Sequence, residues 1–268
     1  MTDRYAVIGN PIAHSKSPWI HGEFARATGQ NIEYVRIEAP PDGFERVVRD
    51  FRAAQGRGAN ITLPFKEVAY RCCAELGAGA RLAGAVNTLV FEPSGTRGEN
   101  TDGSGLLRDL TANLGFPVRG RTILVLGAGG AARGILGPLA EFGAATIVLA
   151  NRTVAKATEL VQRMAFPMLE ACGFDALADR SFDLVVNATS SGLSGEAPRI
   201  PASVFRKGAL AYELVYGRDT AFLAMARASG AATSDGTGML VEQAADSFRL
   251  WRGVRPQTAG VISALRRG

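Results

Sequence analysis

The sequence has few of the residues that build disulfide frameworks and metal sites. It contains three cysteines and two histidines among its 268 residues. Three cysteines without a CxxC spacing make no paired disulfide framework, which favours a reducing compartment and predicts a cytoplasmic protein. We expect the adjacent Cys72 and Cys73 to be buried small apolar residues. Two histidines are too few for a histidine-rich site, so no metal is predicted.

Long apolar runs and a one-sided stripe of charge are also missing. No apolar run approaches the roughly 20 residues that cross a bilayer, and residues 1–9 lack the layout of a signal peptide. The net charge is +5, but lysine and arginine are scattered, which favours small anionic ligands over nucleic acid. A hydrophobic content of 47% with 21% charged residues is typical of a globular enzyme. We expect a small-molecule substrate, no nucleic-acid partner and no membrane partner.

Strand-like and helix-like segments alternate along the chain. This alternation predicts an α/β protein with parallel or mostly parallel sheets. Ser17 is expected to cap the first helix and Pro18 to occupy its first position. The predicted strands are 5–9, 32–37, 58–62, 122–126, 146–150, 184–187 and 210–215. The predicted helices are 18–28, 43–54, 66–70, 104–114 and 130–142, and the last forty residues are also expected to be helical.

A glycine-rich turn follows the apolar strand predicted at 122–126. Its sequence is Gly-Ala-Gly-Gly-Ala-Ala, from Gly127 to Ala132. The first glycine permits the tight turn, Gly129 lets the backbone approach a pyrophosphate, and Ala132 lets the following helix pack on the sheet. The N–H groups at the start of that helix attract phosphate. The pattern predicts a Rossmann-type, doubly wound domain, with its dinucleotide contacts at Gly127, Ala128, Gly129, Gly130 and Ala131.

The end of the next strand indicates which dinucleotide binds. NAD-binding domains place an acidic residue there for the ribose 2′-hydroxyl. This chain instead has Asn151-Arg152-Thr153, with Lys156 one turn into the next helix. An arginine fork, a lysine charge and two hydrogen-bonding side chains suit a 2′-phosphate. The sequence therefore predicts NADP(H).

A second polar segment precedes the helix predicted at 66–70. Asn60, Thr62 and Lys66 lie in Asn-Ile-Thr-Leu-Pro-Phe-Lys, where Pro64 excludes a helix interior. A strand-to-helix turn is where α/β proteins usually hold ligands. The amide and hydroxyl can orient substrate hydroxyls, and the lysine can move a proton.

Eight motifs in this order resemble the NADP-dependent shikimate/quinate dehydrogenase family over nearly the whole chain. They are Gly9-Asn-Pro-Ile-Ala-His-Ser-Lys-Ser-Pro18, Asn60-Ile-Thr-Leu-Pro-Phe-Lys66, Ala83-Gly-Ala-Val-Asn-Thr88, Asn100-Thr-Asp-Gly103, the 127–132 turn, Asn151-Arg-Thr153, Tyr212-Glu-Leu-Val-Tyr216 and Gly238-Met-Leu-Val-Glu-Gln243. The resemblance implies reversible reduction of 3-dehydroshikimate to shikimate, in chorismate and aromatic amino acid biosynthesis, by a monomer or a homodimer.

The resemblance also implies a role for each matching residue. Lys66 and Asp102 would be the catalytic pair that moves a proton as hydride is transferred. Ser15 and Ser17 would hold the substrate carboxylate. The ring hydroxyls would be surrounded by Asn60, Thr62, Asn87, Tyr216 and Gln243. The nicotinamide side would be lined by Leu214, Gly236 and Met239.

These assignments predict two domains with a cleft between them. A substrate-binding α/β domain would span residues 1–103 and be completed by C-terminal helices in 239–268. An NADP-binding domain would span 104–238. This division follows from the order along the sequence, in which most substrate ligands precede the glycine-rich turn and Gln243 follows it.

Two other functions are compatible with the sequence. One is a quinate/shikimate dehydrogenase paralogue, although the family's quinate users often carry Thr at the Ser17 position and an acidic residue near Arg152. The other is a non-catalytic dinucleotide-binding regulator on the same fold. Loss of Lys66 or Asp102 would have supported the regulator, and both residues are present.

Overall fold

A computed structural model describes residues 2–189, 191 and 195–267, and it confirms the α/β prediction. The chain forms two six-stranded sheets, the first from strands within residues 3–99 and the second from strands within 122–234. Helices cover both sheets because crossovers between parallel strands need them. None of the helices in the described ranges is long and apolar enough to cross a membrane.

The first sheet is mixed rather than mostly parallel. Its order is β2-β1-β3-β5-β6-β4; β1 pairs in parallel with β2 and β3, but β5 runs antiparallel to both β3 and β6. The β5–β6 hairpin is absent from the predicted elements. The strands are β1 (Asp3–Gly9), β2 (Ile32–Glu38), β3 (Gly56–Ile61), β4 (Glu75–Leu76), β5 (Thr88–Glu92) and β6 (Gly95–Glu99). The helices are α1 (Ser17–Thr28), α2 (Phe44–Ala53), α3 (Lys66–Cys72) and α4 (Ala78–Ala83).

The second sheet is parallel throughout its described pairs, in the order β12-β11-β10-β7-β8-β9. The strand order reverses at β7, so a cleft opens beyond the carboxyl ends of the central strands. The strands are β7 (Thr122–Leu126), β8 (Thr146–Ala150), β9 (Leu169–Cys172), β10 (Phe182–Asn187), β11 (Phe205–Glu213) and β12 (Ala232–Ser234). The helices are α5 (Asp102–Arg108), α6 (Gly130–Glu141), α7 (Val154–Met164), α8 (Ala221–Ala228), α9 (Thr237–Arg252) and α10 (Ala259–Arg267).

Several predicted boundaries change. Ser17 is the first residue of α1, and the capping position belongs to Lys16, which makes no side-chain cap. The helix predicted at 104–114 begins at Asp102 and continues as a π-helical turn, Asp109–Asn113. The C-terminal region forms two helices separated at 253–258.

The long helix α9 returns to the first sheet's side of the molecule. Its Val241, Ala244 and Phe248 pack with Ile20 and Phe24 of α1 in one buried cluster. The neighbouring Met239 instead belongs to the core under the second sheet. Helix α9 thus joins the two cores and carries late residues back to early ones.

The expectation for the adjacent cysteines is wrong. Cys72 is exposed and Cys73 is half-buried. Partial burial, together with the nearby Glu45 carboxylate, raises the pKa of the Cys72 thiol to about 11. The thiol is therefore protonated near neutral pH and weakly reactive.

Candidate active site

The turn between β3 and α3 carries Thr62 and Lys66 beyond the end of the first sheet's central strand. Thr62 N donates to Ile8 O at 3.0 Å, and Phe65 N donates to Thr62 O at 3.0 Å. The buried Phe65 ring stacks on Phe44 with centroids 4.9 Å apart. This contact anchors the turn, so Lys66 begins its helix from a fixed position.

Lys66 and Asp102 form a direct ion pair. The distance from Lys66 Nζ to Asp102 Oδ2 is 2.5 Å, and the two side chains are only 14% and 6% exposed. Asp102 begins α5, where its backbone N–H donates to Asn100 Oδ1 at 3.0 Å and the helix dipole favours its negative charge. An ammonium held this way can give a proton to a substrate oxygen or take one from it.

Asn87 connects this pair to the late part of the chain. Its Nδ2 lies 2.9 Å from Asp102 Oδ1, 2.9 Å from Thr101 Oγ1 and 3.3 Å from Gln243 Oε1. Its Oδ1 accepts from Thr101 N at 2.9 Å. Asn87 is 2% exposed, so these bonds hold its amide in one orientation. The structure therefore brings Lys66, Asp102, Asn87 and Gln243 together, although Gln243 lies on α9.

Asn60 is held by protein partners at both ends of its amide. Tyr34 donates its hydroxyl to Asn60 Oδ1 at 2.7 Å, and Asn60 Nδ2 lies 2.9 Å from Ser247 Oγ and 3.2 Å from Thr88 Oγ1. Its predicted contact with a substrate hydroxyl would require one of these bonds to be exchanged. In this arrangement Asn60 supports its neighbours, whereas the adjacent Thr62 is half-buried at the turn.

Ser15 and Ser17 form a second polar cluster at the start of α1. Ser15 Oγ donates to Ser17 Oγ at 3.2 Å and accepts from Ser17 N at 3.3 Å. Arg36 holds the Ser15 carbonyl with two bonds, from Nε at 2.9 Å and from Nη2 at 2.6 Å. Two hydroxyls at a helix N-terminus beside a guanidinium suit a carboxylate.

Tyr216 faces the serine cluster from the end of the second sheet. Burial raises the pKa of its phenol, while the Lys16 backbone, the Arg36 charge and the Ser15 hydroxyl partly oppose that rise. Those partners place the Tyr216 ring against the serines from across the cleft. The predicted carboxylate ligands and Tyr216 therefore share one side of the site.

The glycine-rich turn has the space that a dinucleotide needs. Gly127 has a φ of +98°, and a Cβ there would lie 3.0 Å from Ala188 O. Gly129 is exposed, and nothing lies within 4 Å of where its Cβ would be. The open side faces the start of α6, where the first backbone N–H groups have no partner within the helix and suit a pyrophosphate. The predicted contacts at this turn are Gly127, Ala128, Gly129, Gly130 and Ala131.

A pocket of about 370 Å³ continues from this turn to the end of β8. Asn151 Nδ2 donates to Thr153 O at 2.9 Å, which shapes the loop. Arg152 and Lys156 are exposed in the pocket, and no residue of the described ranges forms an ion pair with either. Two cations that lack an ion-pair partner among the described residues, at a loop that follows a parallel strand, fit the predicted 2′-phosphate.

The three residues predicted to line the nicotinamide side lie close together. A Cβ at Gly236 would be 2.3 Å from Leu214 O, so the two backbones touch. Met239 lies in the first turn of α9, and its N–H donates to the Tyr212 hydroxyl at 3.3 Å. All three therefore lie where β11 ends and α9 starts.

Comparison with known proteins identifies the family. Three family models match in succession, described as the shikimate dehydrogenase substrate binding domain (residues 7–89), shikimate / quinate 5-dehydrogenase (110–195) and the shikimate 5′-dehydrogenase C-terminal domain (236–266). The shikimate dehydrogenase (NADP(+)) of Aromatoleum aromaticum is 55% identical, covering 99% of this chain and 97% of its own. The chain belongs to the shikimate dehydrogenase family. A second relative of the same name, from Methylobacillus flagellatus, is 53% identical over 98% of this chain and 99% of its own.

Solved structures with the same fold include two with high similarity over almost the whole chain. An Ael1 enzyme from Pseudomonas putida superposes with a TM-score of 0.94 at 51% identity, covering 98% of each chain. The Thermus thermophilus shikimate 5-dehydrogenase, determined in complex with NADP(H) and shikimate, superposes with a TM-score of 0.89 at 36% identity, covering 99% of each chain. The resemblance drawn from the eight motifs is confirmed.

In this shikimate dehydrogenase fold, helix α6 lies directly against the Lys66–Asp102 ion pair. A Cβ at Gly130 would be 3.4 Å from Lys66 Cβ, and a Cβ at Gly134 would be 3.0 Å from Asp102 Cβ. Gly137, one turn further, leaves room for Leu82, whose Cδ2 would lie 2.3 Å from an added Cβ. Because the glycines leave this face of α6 without side chains, the glycine-rich turn lies close to Lys66.

Four polar residues of the site were missed by the motif analysis. Thr101 could have been found, because it lies inside the Asn100-Thr-Asp-Gly103 motif. Tyr34, Arg36 and Ser247 lie outside every motif, and only pairing between distant elements brings them to the site. Ser247 is fully buried and lies 2.8 Å from Thr88 Oγ1 and 3.3 Å from Thr101 Oγ1.

Proposed function

We propose that this protein catalyses the NADP-dependent, reversible reduction of 3-dehydroshikimate to shikimate. The observation that carries the proposal is the buried Lys66–Asp102 pair packed against the nucleotide turn. Relatives that are 53–55% identical over almost the whole chain bear the name of this activity. The reaction belongs to the formation of chorismate and the aromatic amino acids.

The residues divide the work between proton transfer and positioning. Bound NADPH supplies the hydride. Lys66 gives its proton to the oxygen of the reduced carbonyl, and Asp102 holds the ammonium and accepts from the neighbouring hydroxyl. Asn87 and Gln243 fix the ring through its hydroxyls, with Thr62 and, after exchange of a partner, Asn60.

The substrate carboxylate lies apart from the reacting carbon in this scheme. Ser15 and Ser17 bind it at the start of α1, with Tyr216 closing the site from the other side. Arg152, Lys156, Asn151 and Thr153 bind the 2′-phosphate. Leu214, Gly236 and Met239 form the nicotinamide side. The pyrophosphate lies over residues 127–131.

The same division extends to the whole chain. We assign residues 1–103 with 239–268 to the substrate domain, and 104–238 to the NADP domain. The bond between Asn87 and Gln243 supports this layout. We further assign the protein to the cytoplasm, acting on small molecules as a monomer or a homodimer.

Steady-state turnover tests the proposal. Oxidation of shikimate with NADP+ is measured beside quinate with NADP+ and shikimate with NAD+. We expect the highest kcat/KM for shikimate with NADP+, because Arg152 and Lys156 favour a 2′-phosphate. A higher kcat/KM with quinate would establish the quinate/shikimate paralogue instead. NADPH binding without turnover of either acid would establish a regulator.

A further inference from the structure

Glu67 and Arg133 face each other where the first sheet's side of the molecule meets α6. Arg133 Nε lies 3.6 Å from Glu67 Oε1, within ion-pair range but too far for a hydrogen bond. Arg133 Nε is buried and has no hydrogen-bond acceptor among the residues that the structure describes. The Arg133 side chain is 16% exposed, whereas that of Glu67 is 50% exposed. A buried guanidinium N–H is thus left without a close acceptor.

Both side chains line the 370 Å³ pocket that also holds Arg152 and Lys156. Arg133 lies in the first turn of α6, directly after the glycine-rich turn. Glu67 follows Lys66 in α3. The pair therefore spans from the helix of the catalytic lysine to the helix that receives the cofactor phosphates.

The pocket is lined by three cations, Arg133, Arg152 and Lys156, and by two carboxylates, Glu67 and Glu159, so its lining favours an anion. Burial lowers the pKa of the neighbouring Arg163 guanidinium, and the Arg133 charge lowers it further. A half-exposed carboxylate at 3.6 Å compensates a buried cation poorly, because water screens it and the contact lacks a hydrogen bond. A buried N–H without an acceptor costs free energy until an acceptor arrives.

We propose that the Arg133 guanidinium, which lines this pocket, donates to a phosphate oxygen of the bound dinucleotide and that Glu67 competes for the same guanidinium from across the cleft. This inference rests on the proposed function only in taking NADP(H) as the ligand. Arg133 is then a third cation of the cofactor pocket. Glu67 attracts the same guanidinium and so weakens the interaction between Arg133 and the phosphate. The two residues act on cofactor affinity with opposite signs.

The test is a fluorescence titration of NADPH, without substrate, into purified variants. Arg133→Met should raise the Kd about tenfold or more, because a charge-assisted hydrogen bond is lost. Arg133→Lys, which keeps the charge, should raise it less. Glu67→Gln should lower the Kd about two- to fivefold, because competition for the guanidinium ends. The control is Arg206→Met. Arg206 lies at the start of β11 and forms an ion pair with Asp183 of β10, so its loss should leave the Kd for NADPH unchanged.

A purely structural role of the Glu67–Arg133 ion pair predicts a different pattern of Kd changes. If the pair only ties the two sides of the cleft together, Glu67→Gln and Arg133→Met weaken NADPH binding to a similar extent, and that outcome overturns the proposal. Should Arg133→Met fail to fold, Glu67→Gln decides alone, since the sign of its effect differs between the two cases. NADPH titration is independent of shikimate turnover, so failure here is distinguishable from failure of the proposed reaction.

Discussion

At the scale of single residues, Lys66 and Asp102 should behave as one unit. Removal of either leaves the other without its buried partner, so the joint loss should be smaller than the sum of the single losses in ΔΔG‡. We expect Lys66→Ala to lower kcat about 10²–10⁴-fold, the usual contribution of general acid–base catalysis, with the shikimate KM changed much less. Steady-state kinetics of Lys66→Ala, Asp102→Asn and the double variant measure this. A near-normal kcat in Lys66→Ala would leave the pair as a binding site only.

The serine cluster should affect binding rather than chemistry. A carboxylate clamp binds the ground state and the transition state alike, so its loss raises KM and leaves kcat nearly unchanged. Ser15→Ala should raise the KM for shikimate about tenfold, the effect of one hydrogen bond to a charged group. The KM for NADP+ serves as the internal control and should stay constant. An equal fall in kcat would contradict the clamp assignment.

Arg152 should decide between the two dinucleotides. Its contact with a 2′-phosphate is expected to contribute about 1.5–3 kcal/mol. Arg152→Ala should therefore raise the KM for NADP+ strongly while changing that for NAD+ little. Parallel kinetics with both cofactors measure the difference. Equal losses with NADP+ and NAD+ would refute the assignment.

At the scale of elements, the glycine face of α6 sets how closely this helix approaches Lys66 and Asp102. A Cβ at Gly134 would lie 2.9 Å from Asn100 Oδ1 and 3.1 Å from Asp102 Oδ2. Relief of these contacts moves Asp102 itself or Asn100, whose Oδ1 accepts from the Asp102 backbone N–H. We therefore expect Gly134→Ala to lower kcat at least about tenfold, since small misplacements of reacting groups are costly.

Gly22 on α1 provides the matched control, because nothing lies within 4 Å of a Cβ there. Gly22→Ala should leave kcat unchanged and stabilise the fold by about 0.5–1 kcal/mol through helix propensity. Kinetics and urea unfolding of both variants are compared. A fully active Gly134→Ala enzyme would show that the contact between α6 and α5 does not fix the catalytic pair.

At the scale of the whole molecule, His21 should make stability depend on pH. It is fully buried against the Tyr34 ring, with centroids 4.3 Å apart, and burial lowers its pKa from 6.5 to about 3. The Asn60 amide partly opposes that shift, although neither ring nitrogen has a hydrogen-bond partner among the described residues. Between about pH 6.5 and pH 3 only the unfolded chain binds the proton, so the free energy of unfolding falls as pH falls, by up to about 1.4 kcal/mol per unit.

His21→Phe removes this titration and keeps an aromatic ring in the stack. Urea unfolding at about pH 7, 5.5 and 4.5 should show a smaller loss of stability in the variant than in the wild-type protein. Burial raises the pKa of Asp109 and Glu213, which gives an opposite dependence that both proteins share. Parallel pH profiles for the two proteins would mean that His21 does not titrate on unfolding.

Local patterns in the sequence were sufficient for the α/β class, the nucleotide turn and the order of the main elements. Strand β7 and strand β8 have the predicted limits because buried parallel strands are continuous apolar runs bounded by turns. Single motif residues were also informative without the fold. Pro64 excludes a helix interior just before Lys66, and Arg152 stands where NAD-binding domains have an acidic residue. The eight motifs thereby indicated the family, and the relatives confirm it.

Only the tertiary structure decided how distant segments meet. The bonds from Arg36 to the Ser15 carbonyl and from Asn60 to Ser247 join residues that are 21 and 187 positions apart. No local period encodes such partners, because they depend on how sheets and helices pack in three dimensions. The same holds for Glu67 and Arg133, each an ordinary charged helix residue in the sequence. Packing buries the Arg133 Nε atom opposite the glutamate and places both side chains in the pocket beside the glycine-rich turn.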